Sequence, residues 1–208
     1  MKQGVGTPCG ERGFSMVELM VAVGVIVIVT SMAITQMQPV LQETRANAGM
    51  DQVINIFRTA RDYSVANRRY VQVSFPNYPG TGANQLQVTV LNHLTLNAGA
   101  DQVLTLNVLN SNVTFQLFPG FLDTPDGFGN ATAVNFEFVD GGPTAGMMFQ
   151  PDGTFVDTTG APVNGTVFLG ITNFPATGRA VTVLGATGHV KSYFASPKGS
   201  TAAWIQAQ

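Results

Sequence analysis

GFSMVELMVAVGVIVIVTSMAI, residues 13–34, is the stretch on which the fold turns. It is an apolar run carrying one carboxylate, Glu18, and the next charged residue is Glu43. As an α-helix, residues 14–34 would rise roughly 31 Å, about the hydrocarbon thickness of a bilayer. Residues 1–13 are largely polar, with Lys2 and Arg12 ahead of the apolar run. Basic residues on that side favour a cytoplasmic N-terminus and place everything after the helix across the membrane. A carboxylate at the edge of such a segment costs up to a few kcal/mol unless it is paired, so Glu18 asks for a partner.

Three explanations compete for this segment. An ordinary transmembrane anchor accounts for length and orientation but gives Glu18 no role. An ordinary signal peptide accounts for the small residues around Ser31-Met32-Ala33, where cleavage could release a soluble β-domain, yet a core this long bearing a glutamate is unusual for one. The third accounts for every feature. Glycine, aromatic residue and glutamate at these offsets, ahead of about 20 apolar residues, resemble the type IV prepilin signature. That resemblance implies cleavage after Gly13 by a prepilin peptidase, N-methylation of Phe14, and a role for Glu18 in neutralising the N-terminal amine of a neighbouring subunit. A buried carboxylate and a buried ammonium are each costly alone and tolerable together. Major pilins of that group commonly kink this helix with a proline where Thr35 stands here; the first proline is Pro39. This departure fits a minor subunit better than a major one.

Whole-chain composition agrees. Of 208 residues, 45% are hydrophobic and 11% charged, enough to build a core and too apolar for disorder. The net charge of −2 supplies no global field towards nucleic acid. Cys9 is the only cysteine, which excludes an internal disulfide, and cleavage after Gly13 would remove it.

Beyond Pro39 the pattern becomes amphipathic. Met50, Val53, Ile54 and Phe57 recur at i, i+3, i+4 and i+7, one stripe of a helix on which a sheet can pack. Glu43, Arg45, Asp51, Arg58, Arg61 and Asp62 fall largely off it, and Arg68-Arg69 suit the negative end of a helix dipole. The expected division is therefore a leader at 1–13, a transmembrane helical part at 14–38, an amphipathic helical part at 39–69 and a β-rich head at 70–208. The head reads as short strands at 70–75, 85–91, 103–109, 113–118, 134–139, 146–150, 166–172, 179–184 and 190–194, separated by turn residues. Asp152-Gly153 marks a hairpin. The fold class is α+β: a long N-terminal transmembrane and amphipathic helix packed on an antiparallel β-sheet head, as in pilins.

FQPDGTF at 149–155 and GRAVTVLGATGHVK at 178–191 extend the resemblance to the GspH/FimT group, minor subunits of type II secretion pseudopili and type IV pili. It is weak over 80–142. It implies a single-pass inner-membrane protein with a periplasmic head, whose partners are other pilins or pseudopilins, the prepilin peptidase, and membrane lipid before assembly. Some FimT-type pilins bind DNA through a C-terminal basic motif; Arg179, His189 and Lys191 are the matching positions, with a histidine replacing one arginine. Few positive charges would make such binding weak and salt-sensitive. A lysine that discourages pairing at a strand edge explains the same residue more simply.

Catalytic patterns are missing from the sequence. His93 and His189 are the only imidazoles, 96 positions apart, and neither phosphate-cradling loops nor a serine-hydrolase elbow occurs. No enzyme activity, metal or cofactor is expected. Asp123, Asp126 and Asn130 offer closely spaced oxygens suited to calcium. Their spacing matches no EF-hand loop, and a tight turn uses the same residues.

Overall fold

A computed structural model describes residues 14–76, 78–80, 83–91, 100–109, 112–136, 147–198 and 201–207. Gly13, Cys9, His93 and the ends of two expected strands (137–139 and 146) lie outside them. The chain divides into two compact units, Met1–Val40 and Leu41–Gln208.

One helix, α1 (Met16–Asn67), runs through both units and through Pro39. Pro39 has no N–H to give the carbonyl one turn back, which removes one rung of the ladder without ending the helix. In the first unit, α1 has its large apolar side chains in the open: Val17, Leu19, Met20, Ile26, Ile28 and Ile34 are all more than half exposed. The helix stops where Arg68 turns to a φ of 53° and the Arg69 N–H reaches back to the Ser64 carbonyl at 3.1 Å. That bond spans the last turn and ends the helix by satisfying an orphan carbonyl.

The second unit holds two antiparallel sheets. The first has β1 (Val71–Ser74), β2 (Gln85–Leu91), β3 (Ala100–Val108), β6 (Met147–Phe149) and β7 (Phe155–Val156), in the order β3-β2-β1-β6-β7. The second is built from β4 (Val113–Thr114), β5 (Val134–Phe136), β8 (Gly165–Ile171), β9 (Phe174–Leu184), β10 (His189–Lys198) and β11 (Thr201–Gln206). Its order is β11-β10-β9-β8-β4, with β5 also pairing β8. The fold is α+β, a long N-terminal helix followed by an antiparallel head on which its latter part packs.

The expected stripe is the packed face. Met50, Val53, Ile54 and Phe57 are buried, joined by Ala46, Ile56 and Ala60, so the covered arc is wider than the four-residue pattern indicated. Those from Met50 to Ala60 share one core with Val71, Val73 and Phe149 of the first sheet and Val167, Leu169 and Val181 of the second. Phe57 is fully buried, edge-on to Phe149 and Phe155 at 6.4 and 5.9 Å between centroids. Polar ties fix the hairpin against the helix: Ser64 Oγ donates to the Gln150 carbonyl at 3.0 Å and Arg61 Nε to that of Gly153 at 3.3 Å. Gly153 closes the turn at φ 87°, in the left-handed region that glycine tolerates.

Several strands differ in extent from their sequence patterns. The expected strand at 113–118 stops after Thr114, because Phe115 gives its N–H to Ala83 and Gln116 gives its own to Phe168. A segment whose bonds go to two different places cannot extend one ladder. β9 starts five residues early, at Phe174, and β11 was not anticipated at all.

Phe57→Ala should lower the unfolding free energy by about 3–5 kcal/mol, since the ring leaves a cavity the helix cannot close. Thermal unfolding of the detergent-solubilised chain checks this, with the half-exposed Val65→Ala expected to stay within about 0.5 kcal/mol.

Candidate functional site

The helix N-terminus is built from Phe14, Ser15 and Glu18. Ser15 precedes the first helical residue, and its carbonyl accepts the Leu19 N–H at 3.1 Å, the opening rung of α1. Serine before a helix with glutamate three positions on has the spacing of a capping box. Glu18 sits in the first turn, where the dipole's positive end favours a carboxylate. Phe14 is 79% exposed.

From this turn onward the helix has the properties lipid demands. It is long and apolar enough to cross a membrane, and the most apolar window is entirely uncovered by protein. Two of its hydroxyls are satisfied within the helix: Thr30 Oγ1 donates to the Ile26 carbonyl at 2.6 Å and Ser31 Oγ to that of Ile28 at 2.7 Å. In hydrocarbon an unsatisfied donor has no water to turn to, so such back-bonding is what makes Thr30 and Ser31 tolerable there.

The family model for the prokaryotic N-terminal methylation motif matches residues 9–34. This N-terminus is type IV prepilin-like. No curated protein and no solved structure matches the chain. The motif implies processing by a prepilin peptidase and assembly with other pilins, and the apolar helix fits anchoring in a membrane.

The remaining candidate residues separate in space. Arg179 pairs across the ladder with Phe194, whereas Lys191 pairs with Thr182, so Arg179 and Lys191 lie on opposite faces of the sheet. Arg179 is buried: its Nε donates to Asn47 Oδ1 at 2.7 Å, and its guanidinium lies over the Phe194 ring at 4.9 Å. Burial lowers its pKa, partly opposed by the Glu43 carboxylate. His189 is exposed on the Lys191 face.

Lys191 is drawn instead to one of the residues considered for calcium. Its Nζ meets Asp126 Oδ1 at 2.6 Å, while Thr182 Oγ1 and Tyr193 Oη donate to Asp126 Oδ2 at 2.6 and 2.9 Å. Burial works to raise the Asp126 pKa, but the bonds from Lys191, Thr182 and Tyr193 outweigh it and the net shift is downward. The Tyr193 phenol is pushed up to about 12 by burial and by its bond to Asp126. Asp123 is turned to its own loop, accepting the N–H groups of Thr124 and Gly129 at 2.7 and 2.8 Å. Asn130 donates to the Phe121 carbonyl at 2.9 Å. Among the described residues no group of three or more His, Cys, Asp or Glu is placed to hold a metal ion.

The segment 121–130 is thus a strap held over the outer face of the second sheet, and Trp204 fastens it again by donating Nε1 to the Leu122 carbonyl at 2.7 Å. Sequence reasoning singled out Asp126 and Lys191 separately and missed Thr182 and Tyr193. Partners 56 to 67 positions apart leave no local signal.

Because the folded Asp126 pKa lies below its unfolded value, the network contributes stability above the ordinary carboxylate range. That contribution fades as pH falls through the folded value. Asp126→Asn should flatten this acid-side loss, and Lys191→Met should cost about 1–3 kcal/mol at neutral pH by leaving the carboxylate short of a charged donor. Unfolding midpoints of the three proteins between neutral pH and the acid limit provide the check.

Proposed function

We propose that the chain is a minor pilin or pseudopilin of the GspH/FimT kind, helping to initiate or cap a type II secretion pseudopilus or type IV pilus. The carrying observation is a coincidence at one end of the molecule. The methylation motif covers residues 9–34, and the helix that begins within it at Met16 exposes an apolar surface which the described part of the chain does not cover. Such a surface needs lipid before assembly and neighbouring helices afterwards. On this reading the peptidase cuts after Gly13 and methylates Phe14. The apolar part of α1 then holds the protein in the inner membrane with its head in the periplasm, and Glu18 meets the amine of an adjoining protomer. Its work is packing, with no bond made or broken after processing.

Mass spectrometry of the protein purified from membranes should find a chain beginning with N-methylated Phe14. A chain beginning near Ile34 would instead mark an ordinary exported domain and end the proposal. Glu18→Gln should leave processing and head stability intact and sharply reduce recovery in sheared filaments. A buried ammonium left without its carboxylate costs about 3–5 kcal/mol, a more than hundredfold effect on incorporation.

A further inference from the structure

We propose that the tip of the β8–β9 hairpin, residues 172–176, is a second lipid-contacting element that rests the head on the membrane surface before assembly. This rests on the membrane reading of α1 given above. The tip is Thr172-Asn173-Phe174-Pro175-Ala176, five consecutive exposed residues without a charge, with Phe174 44% exposed. The turn itself is Thr172-Asn173, between the paired Ile171 and Phe174, and an irregularity in β9 follows it. Between the pairs Leu169–Arg179 and Ile171–Phe174 the register slips, and β9 spends four residues, 175–178, where β8 spends one. Pro175 and Ala176 are thrown outward by that excursion.

An excursion of this kind normally leaves carbonyls for water to satisfy. Here the protein satisfies three of them itself. Thr177 Oγ1 donates to the Phe174 carbonyl at 2.6 Å, and Arg179 Nη1 donates to those of Ala176 and Gly178 at 3.1 and 2.8 Å. The Ile171 N–H is taken by Thr177 Oγ1 at 2.9 Å. Burying an arginine beneath an exposed loop is expensive unless its donors are used. Its use here leaves Phe174, Pro175 and Ala176 exposed as apolar side chains while the Ala176 and Gly178 carbonyls are satisfied from within, which eases the approach of irregular backbone to lipid.

The occupant follows from where the chain is tethered. The same Arg179 holds Asn47 of α1 through its Nε, so the base of the tip is fixed to that residue. Asn47 is seven residues along the chain from Val40, the last residue of the apolar unit. Even a fully extended connection could separate them by no more than about 25 Å. At the far end of β9, the turn bearing Ala186 and Thr187 is exposed too, but the chain from Arg179 to Leu184 carries it roughly 17 Å further along the strand.

Spin labels distinguish the two ends. In the full chain with Cys9→Ser, single cysteines at Ala176, Ala186 and Ala33 would be labelled and the protein reconstituted in phosphatidylethanolamine–phosphatidylglycerol vesicles. Accessibility to oxygen, which partitions into lipid, is then compared with accessibility to a water-soluble nickel chelate. The oxygen-to-nickel ratio should be highest for the label at Ala33, several-fold higher for Ala176 than for Ala186, and should fall to the Ala186 value for Ala176 when Phe174→Asp is added. Equal ratios at Ala176 and Ala186, with the Ala33 label in lipid, overturn the tip contact and leave the anchor standing. A water-exposed label at Ala33 overturns both. A label at Ala176 shielded from oxygen and nickel alike would mean that protein covers the tip, and this too overturns the lipid contact, as does a ratio unmoved by Phe174→Asp.

Discussion

The apolar surface of α1 that the described protein leaves bare governs everything else in this molecule. A helix with Val, Ile, Leu and Met exposed all round cannot persist in water, because burial of each such side chain is worth about 1.5–3 kcal/mol. On the proposed reading what covers it is hydrocarbon first, then the helices of neighbouring subunits. The backbone is suited to both, since an α-helix carries its hydrogen bonds internally and Thr30 and Ser31 return theirs to the preceding turn.

Once that segment is committed to an apolar medium, Glu18 is the residue with a problem. Two local features ease it, the positive end of the helix dipole and its position in the first turn, and neither is sufficient for a carboxylate carried deeper among apolar neighbours. The complementary group would have to be a cation created at the same depth. On the proposed reading, cleavage after Gly13 would create such an amine at Phe14, four residues before Glu18, and the corresponding amine of a neighbouring subunit would meet Glu18.

The fold was legible wherever a periodicity ran uninterrupted. Residues 85–90 alternate polar and apolar and form most of β2 as expected; the i, i+3, i+4, i+7 stripe from Met50 to Phe57 is the packed face of the helix. Legibility failed where the deciding partner was distant. β11 carries Ala-Ala at 202–203, residues with little strand preference, and shows no polar–apolar alternation, yet it becomes a strand because β10 offers six consecutive pairing positions. Phe115 and Gln116 look like strand residues, yet their N–H groups are claimed by separate carbonyls. The prepilin-like motif at 9–34 was readable because its signal is local: glycine, aromatic residue, carboxylate and apolar run lie close together in the sequence. Asp126 was noticed for its neighbours in sequence, whereas its environment is set by Lys191, Thr182 and Tyr193.

That contrast explains how the head stays together with 11% charged residues and no cysteine beyond Cys9. The second sheet has an outer face carrying Phe168, Ala180 and Tyr193, which pack together and would otherwise meet solvent. The strap at 121–130 covers it, and two kinds of contact hold the strap down. Phe121 stacks edge-on against Trp204 at 5.5 Å, and Trp204 in turn lies against Phe168 at 5.6 Å. Asp126 adds what apolar packing cannot, a fixed position, because a half-buried carboxylate tolerates few placements in which three donors converge on it. A disulfide would fix the strap by shortening the unfolded chain's freedom; here a charge that is costly to strand elsewhere achieves the same localisation in the folded state. The Asp126–Lys191 charge pair on that face is thus a registration device for a covering loop, which is why its members are spread across the sequence.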